Sequence, residues 1–156
     1  MPVSDFAARW TARLQTGFPV LAAMQVTLRG DASGWSLHAP FDPNRNDHAT
    51  AFGGSLSTLA TIAGWLYTNE AAGGVVAADR VDVVIQSGNA HFVAPLHADL
   101  VATVLPVGDA DLAAFRRTLA RRGRARLAVH VSVGDGTAEA VRFTGQYVAV
   151  RLPERD

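Results

Sequence analysis

The sequence predicts an α+β fold in which a mainly antiparallel sheet wraps one long central helix, and three observations carry this. From Ala49 to Asn69 there is no Asp, Glu, Lys or Arg, and Leu56, Leu59, Ile62, Ala63 and Leu66 recur at helical spacing with Ala60 and Trp65 on other faces. A helix apolar nearly all round is one surrounded by protein. Several runs rich in β-branched residues follow it, bounded by Gly, Pro and Asp turns. A single central helix cannot supply the crossovers of a parallel sheet, so the strands pair antiparallel.

Taken in order, Ser4 caps a helix over 4–16 that carries Phe6, Trp10 and Leu14 at i, i+4 and i+8, with Gly17 as its stop. Val20–Arg29 and Trp35–Phe41 are expected as two strands joined at Gly30–Gly34. The core helix comes next and stops at Gly73-Gly74. It is long enough to cross a bilayer, but Thr50, Ser55, Ser57, Thr58, Thr61, Thr68 and Asn69 dilute its hydrophobicity and no basic loops flank it. A core helix about 30 Å long is therefore predicted, and no membrane partner. Val81–Val93 is a long β-branched strand, and Leu100–Val107 another. Asp109–Arg122 fits a short helix or a structured hairpin tip. From Leu127 to Val133 apolar residues alternate with polar ones as in a half-buried strand; Gly134-Asp135-Gly136-Thr137 turns the chain, and Val141–Val150 returns antiparallel.

The 156 residues read as one unit, 1–156, with its core at about 20–150. All 14 basic residues are Arg, and 14 acids balance them. Zero net charge argues against general affinity for nucleic acid, so any anion recognition is local. Without cysteine there is no disulfide framework and no thiolate nucleophile. His38, His91, His97 and His130 show no ligand spacing, so neither metal nor resident cofactor is expected. No basic region followed by an apolar core and a cleavage site opens the chain, which points to the cytoplasm.

The chemistry concentrates in Asn44-Arg45-Asn46-Asp47-His48-Ala49-Thr50-Ala51-Phe52-Gly53-Gly54-Ser55-Leu56. A helix start exposes unpaired N–H groups, and glycines let a ligand oxygen approach them. Gly53 and Gly54 thus suit an oxyanion hole, Asp47 a general base or nucleophile, and Asn46 the positioning of water or of a carbonyl. Asp and Asn equally suit a turn and a helix cap. His48 fits a general acid or a phosphate contact, or an ordinary surface residue. Ser55 lacks the Gly-x-Ser-x-Gly elbow of a nucleophile and is expected as a first-turn hydroxyl that bonds backbone or ligand.

These features, with Asn46-Asp47-His48-x-x-x-Phe52-Gly53-Gly54-Ser55 as their centre, resemble the hotdog-fold acyl-CoA thioesterases, and among them the family typified by the YiiD C-terminal domain. Ala63-Gly64-Trp65 and Ala90-His91-Phe92-Val93-Ala94-Pro95 carry the rest of the resemblance, which spans roughly Val20–Val150. It implies hydrolysis of an acyl-CoA or acyl-carrier thioester by a homodimer or homotetramer. Each site would take its pre-helix loop from one subunit and residues near Asn89–Pro95 from another, with Val81–Val93 pairing across a two-fold axis. Candidate substrate contacts are His48, Phe52, Ser55, Thr58, Thr61, Asn89, His91 and Phe92; coenzyme A enters only as part of the substrate. One departure stands out. Several thioesterase subgroups carry a carboxylate in the middle of the central helix, where this chain has Ser57, Thr58 and Thr61. Either Asp47 does the work, or a carboxylate comes from another subunit, or the chain binds acyl thioesters without efficient turnover.

Arg116, Arg117, Arg121, Arg122, Arg124 and Arg126 place six guanidiniums in eleven residues. Arg binds phosphate bidentately, so Arg121, Arg122 and Arg124 are the expected contacts to CoA phosphates, although a solvated helix flank carries the same charges. Two other activities stay open: a hotdog hydratase or dehydratase, since Asp42-Pro43-Asn44 and His48 partly match an Asp-x-Asn-Pro-x-x-His motif in altered order, and a non-catalytic acyl-binding module.

Overall fold

The computed structural model describes residues 3–154. Helix α1 (Asp5–Gly17) starts at Ser4, whose Oγ accepts the Ala7 amide at 3.1 Å and donates to the Gly30 carbonyl at 2.6 Å. Phe6, Trp10 and Leu14 are buried as their spacing predicts. The expected strand over Val20–Arg29 needs correction. Its first part is a short helix, α2 (Pro19–Ala23), because Pro19 occupies the first helical position, where the fixed φ of proline favours helix and its missing N–H costs nothing. Gln25 then takes φ +57°, and strand β1 (Thr27–Asp31) begins two residues later.

Strand β2 (Gly34–Ala39) pairs back on β1, and α3 (Gly53–Ala72) follows as the 20-residue central helix. Then come β3 (Val81–Phe92), β4 (Leu100–Val104), α4 (Asp109–Arg122), β5 (Arg124–Gly134) and β6 (Glu139–Arg151). Of the two readings of Asp109–Arg122 the helix is correct; Phe115 and Leu119 bury one face, and Gly123 ends it at φ +70°. The six strands form one antiparallel sheet in the order β1-β2-β4-β5-β6-β3. Asp135 closes the β5–β6 hairpin by accepting from the amides of Thr137 and Ala138. Among the described residues no helix is long and apolar enough to cross a membrane.

The sheet curves around α3, which packs on β6, β3, β5 and β4. Gly64 fixes that contact. A Cβ there would stand 2.6 Å from Tyr147 Cε2, and the Tyr147 hydroxyl donates to the Thr61 carbonyl at 2.6 Å. Burial pushes that hydroxyl's pKa up, so it stays a donor. Next to it Trp65 donates to the Val83 carbonyl at 2.8 Å and meets Trp10 and Phe18 edge-on, at 6.0 and 5.3 Å between ring centroids. The Arg13 guanidinium lies over both indoles, at 4.7 and 5.1 Å. These contacts tie α1 to the middle of α3.

Candidate active site

The loop before α3 is held by amides. Asn46 Oδ1 accepts from the His48 and Thr50 amides at 2.9 and 3.1 Å, and its Nδ2 donates to Thr50 Oγ1 at 2.7 Å. Its side chain is therefore engaged in shaping the turn. Asn44, which sequence reasoning passed over as a site residue, is 1% exposed. Its Nδ2 donates to the carbonyls of Met24 and Pro40 at 2.9 and 2.8 Å, and its carbonyl accepts the Phe52 amide at 2.7 Å. Asn44 thereby joins the end of α2, the end of β2 and the start of α3. Ala49 sits at φ +58°, a region where a Cβ is strained, and its carbonyl oxygen lies 3.2 Å from His97 Nδ1.

Asp47 and His48 project from this turn. Their side chains are 86% and 81% exposed, with Asp47 Oδ1 3.5 Å from His48 Nε2. Beyond them α3 begins at Phe52 without a side-chain cap, although Asn and Asp lie close by in sequence. The first amides of the helix, including Gly53 and Gly54, have no acceptor within the helix, so they remain available to a bound oxygen. Two aromatic rings flank them. A Cβ on Gly54 would stand 2.8 Å from Phe52 Cζ and closer still to Cε1, and one on Gly53 would stand 3.3 Å from Phe92 Cε1. Phe52 and Phe92 are 55% and 57% exposed. Phe92 of the same chain thus reaches the helix start.

Along the next two turns of α3, Ser57, Thr58, Thr61 and Ile62 face Val20 and Leu21 of α2 across a groove of about 300 Å³, with Phe18 at its wall. Thr61 Oγ1 donates to the Ser57 carbonyl at 2.8 Å, which turns that hydroxyl onto the helix. Ser55 is buried in the first turn.

Other expected contacts lie elsewhere in the chain. Asn89 pairs with Thr144 and His91 with Arg142, in the row that continues to His130. This exposed row alternates with the Phe143, Gly145 and Tyr147 row that packs on α3, so Asn89 and His91 stand on the outer face of the sheet. Arg121 and Arg122 end α4 and Arg124 opens β5; Arg117, Arg121 and Arg122 line a shallow cavity of about 240 Å³. Helix α4 is anchored where Arg116 Nε donates to the Ala71 carbonyl at 3.1 Å. Ala71 is about 27 Å along the helix axis from Gly53 at 1.5 Å per residue. Within one chain the arginines and the glycine pair therefore occupy opposite ends of α3. Among the described residues no group of three His, Asp or Glu is placed to hold a metal.

Comparison with known families settles what this architecture is. Residues 7–151 match the family model described as "Putative thioesterase (yiiD_Cterm)". The chain belongs to the YiiD_C family. No curated protein matches it. Among solved structures, a protein "with unknown function" from Chlorobaculum tepidum TLS is 27% identical over 92% of this chain and 93% of its own, with a TM-score of 0.79. A "putative thioesterase" from Shewanella oneidensis is 24% identical over 96% and 99% at TM-score 0.76. A "Probable Thioesterase" from Pseudomonas aeruginosa is 14% identical over 97% and 98% at TM-score 0.75. The fold of this YiiD_C chain is the hotdog fold, an antiparallel sheet around one long helix.

Proposed function

We propose that the chain hydrolyses an acyl thioester, of CoA or of an acyl carrier, at the start of α3. The uncapped helix start carries this reading: a 20-residue helix opens on two glycine amides, between two aromatic rings, and the turn before it projects the Asp47 carboxylate. Asp47 takes a proton from water as that water attacks the thioester carbonyl. The Gly53 and Gly54 amides then hold the oxyanion, helped by the positive end of the helix dipole. Collapse expels the thiolate, which takes up the proton from Asp47 and leaves the free acid. Direct attack by Asp47 would pass instead through an acyl anhydride that water cleaves.

A homodimer completes the site in this reading. Strand β3 is a sheet edge 12 residues long, with exposed Val84 and Ile85 along it and Phe92 and Val93 at its end. Pairing two such edges about a two-fold axis sets the two α3 helices antiparallel. Each helix start then faces the partner's helix end, the end at which α4 packs. That arrangement gives Arg121, Arg122 and Arg124 a route to CoA phosphates that they lack within one chain. The hydratase alternative loses support because both donors of the Asn44 side chain are engaged by main-chain carbonyls.

Thiol release from a panel of acyl-CoAs tests the proposal. Release above the uncatalysed rate, abolished in a folded double alanine variant of Asp47 and His48, is expected. Loss of enoyl absorbance from an enoyl-CoA without thiol release would replace hydrolysis by hydration, and binding without either would leave an acyl-binding module.

A further inference from the structure

We propose that the α1–α2 elbow sets the length of the acyl chain, which lies in the groove between α2 and α3 and ends at Phe18. This rests on the thioesterase reading for the identity of the ligand. Gly54, Ser57, Thr58, Thr61 and Ile62 are spaced i, i+3, i+4, i+7 and i+8, so they share one face of α3. The Phe52 ring stands over that face at Gly54, and the Phe18 wall closes it further along. The groove itself begins at Ser57, one helical turn beyond Gly54 on the same face, and runs away from the amides assigned to the oxyanion.

Its lining fits a saturated chain. None of the groove's lining side chains is ionisable, and Thr61 gives its hydroxyl to the helix backbone. Leu21 forms a buried floor, while Val20 is 56% exposed on the rim. The far wall is rigid: Phe18 is edge-on to Trp65, which is itself held by its bond to Val83 and by Trp10. A rigid wall limits length, whereas a mobile one would yield to any chain.

The axial span of the helix face sets the length. From Gly54 to Thr61 the helix advances about 10 Å. An extended chain rises about 1.2 Å per bond, one third of the span of a residue, so about eight or nine bonds fit. The structure therefore assigns linear acyl chains of about eight to ten carbons as preferred substrates.

The test compares the wild-type protein with Phe18→Ala and Val20→Trp across even-numbered linear acyl-CoAs from four to sixteen carbons. In parallel, calorimetry follows binding of the matching alkyl-CoA thioethers, which cannot turn over. Wild-type kcat/KM should rise about fourfold per methylene up to eight to ten carbons and then fall, the increment expected for a buried methylene. Phe18→Ala should move the optimum to longer chains and Val20→Trp to shorter ones; Val20 is exposed, so that variant folds even if Phe18→Ala does not. Turnover with one unchanged length profile in both folded variants overturns the elbow proposal and leaves the thioesterase reading standing. Thioether binding that shows the length optimum and its shifts, without turnover of any acyl-CoA, upholds the elbow and removes the thioesterase reading. Affinity for alkyl-CoA no greater than for CoA alone defeats the elbow outright.

Discussion

The same substitution at two glycines of α3 should have opposite consequences. At position 64 an added methyl would stand 2.6 Å from Tyr147 Cε2, against a ring that is fully buried and held by its bond to the Thr61 carbonyl. The ring has nowhere to go. Overpacking of this kind costs about 1–3 kcal/mol, and losing the tyrosine bond adds about 1 kcal/mol. Alanine's better helix propensity returns about 0.5–1 kcal/mol. Gly64→Ala should therefore lose about 2 kcal/mol, lowering Tm by about 4–8 °C for a chain of this size. At position 54 the methyl meets Phe52, whose half-exposed ring rotates away. Gly54→Ala should shift Tm by no more than about 2 °C, yet kcat/KM for an acyl-CoA should fall at least about tenfold, because the methyl and the displaced ring crowd the path to the amides. Thermal melts followed by circular dichroism and a thiol-release assay read both variants. Equal Tm for the two would refute the packing account, and a Gly54→Ala protein with wild-type kcat/KM would refute the role given to the helix start.

Further outcomes follow from the same geometry. Asp47→Asn should cut turnover at least about a hundredfold while the melt is unchanged, the lower scale of general-base loss; wild-type rates in the folded variant rule out the assigned role. Replacing Arg121, Arg122 and Arg124 by Ala should raise KM for CoA thioesters and leave a thioester lacking the nucleotide nearly unaffected; equal loss on both makes the cluster structural. Ala49→Gly should stabilise the loop by about 1 kcal/mol, since φ +58° suits glycine, and an unchanged or lower melt would show that the strain is absent. His38 is half-buried against Ser36, and desolvation, then the nearby Arg29, lowers its pKa below 6.5. The unfolded chain then binds more protons as pH falls through about 6.5, so stability should decline on that side, and His38→Gln should flatten the decline; the same slope in both proteins contradicts this.

Most of the fold was legible because it depends on patterns that the chain writes locally. The uncharged stretch marked α3, alternation marked β5, and the Gly134-Asp135-Gly136-Thr137 turn marked the return of β6. Position 20–25 was misread because Val20, Leu21 and Val26 are as apolar as a strand, while the deciding signal was Pro19 at a first helical position. The groove residues Phe18, Val20 and Leu21 escaped notice for the same reason, since a supposed strand has no elbow. Within the site, the glycine pair and Phe52 were visible as a block, and Phe92 is placed beside them. The turn-forming use of the Asn46 amide is a local habit of Asn that the sequence offered alongside the catalytic role. The distance between the arginine cluster and the helix start was invisible, because it depends on α4 packing at Ala71, a contact between residues 45 positions apart.

The most direct measurement is a crystal structure of the protein with a non-hydrolysable acyl-CoA analogue that retains the carbonyl. The account predicts that its carbonyl oxygen accepts hydrogen bonds from the Gly53 and Gly54 amides at about 2.7–3.1 Å, with the Asp47 carboxylate on the side from which water attacks. A fully occupied ligand whose carbonyl lies away from both amides would contradict it.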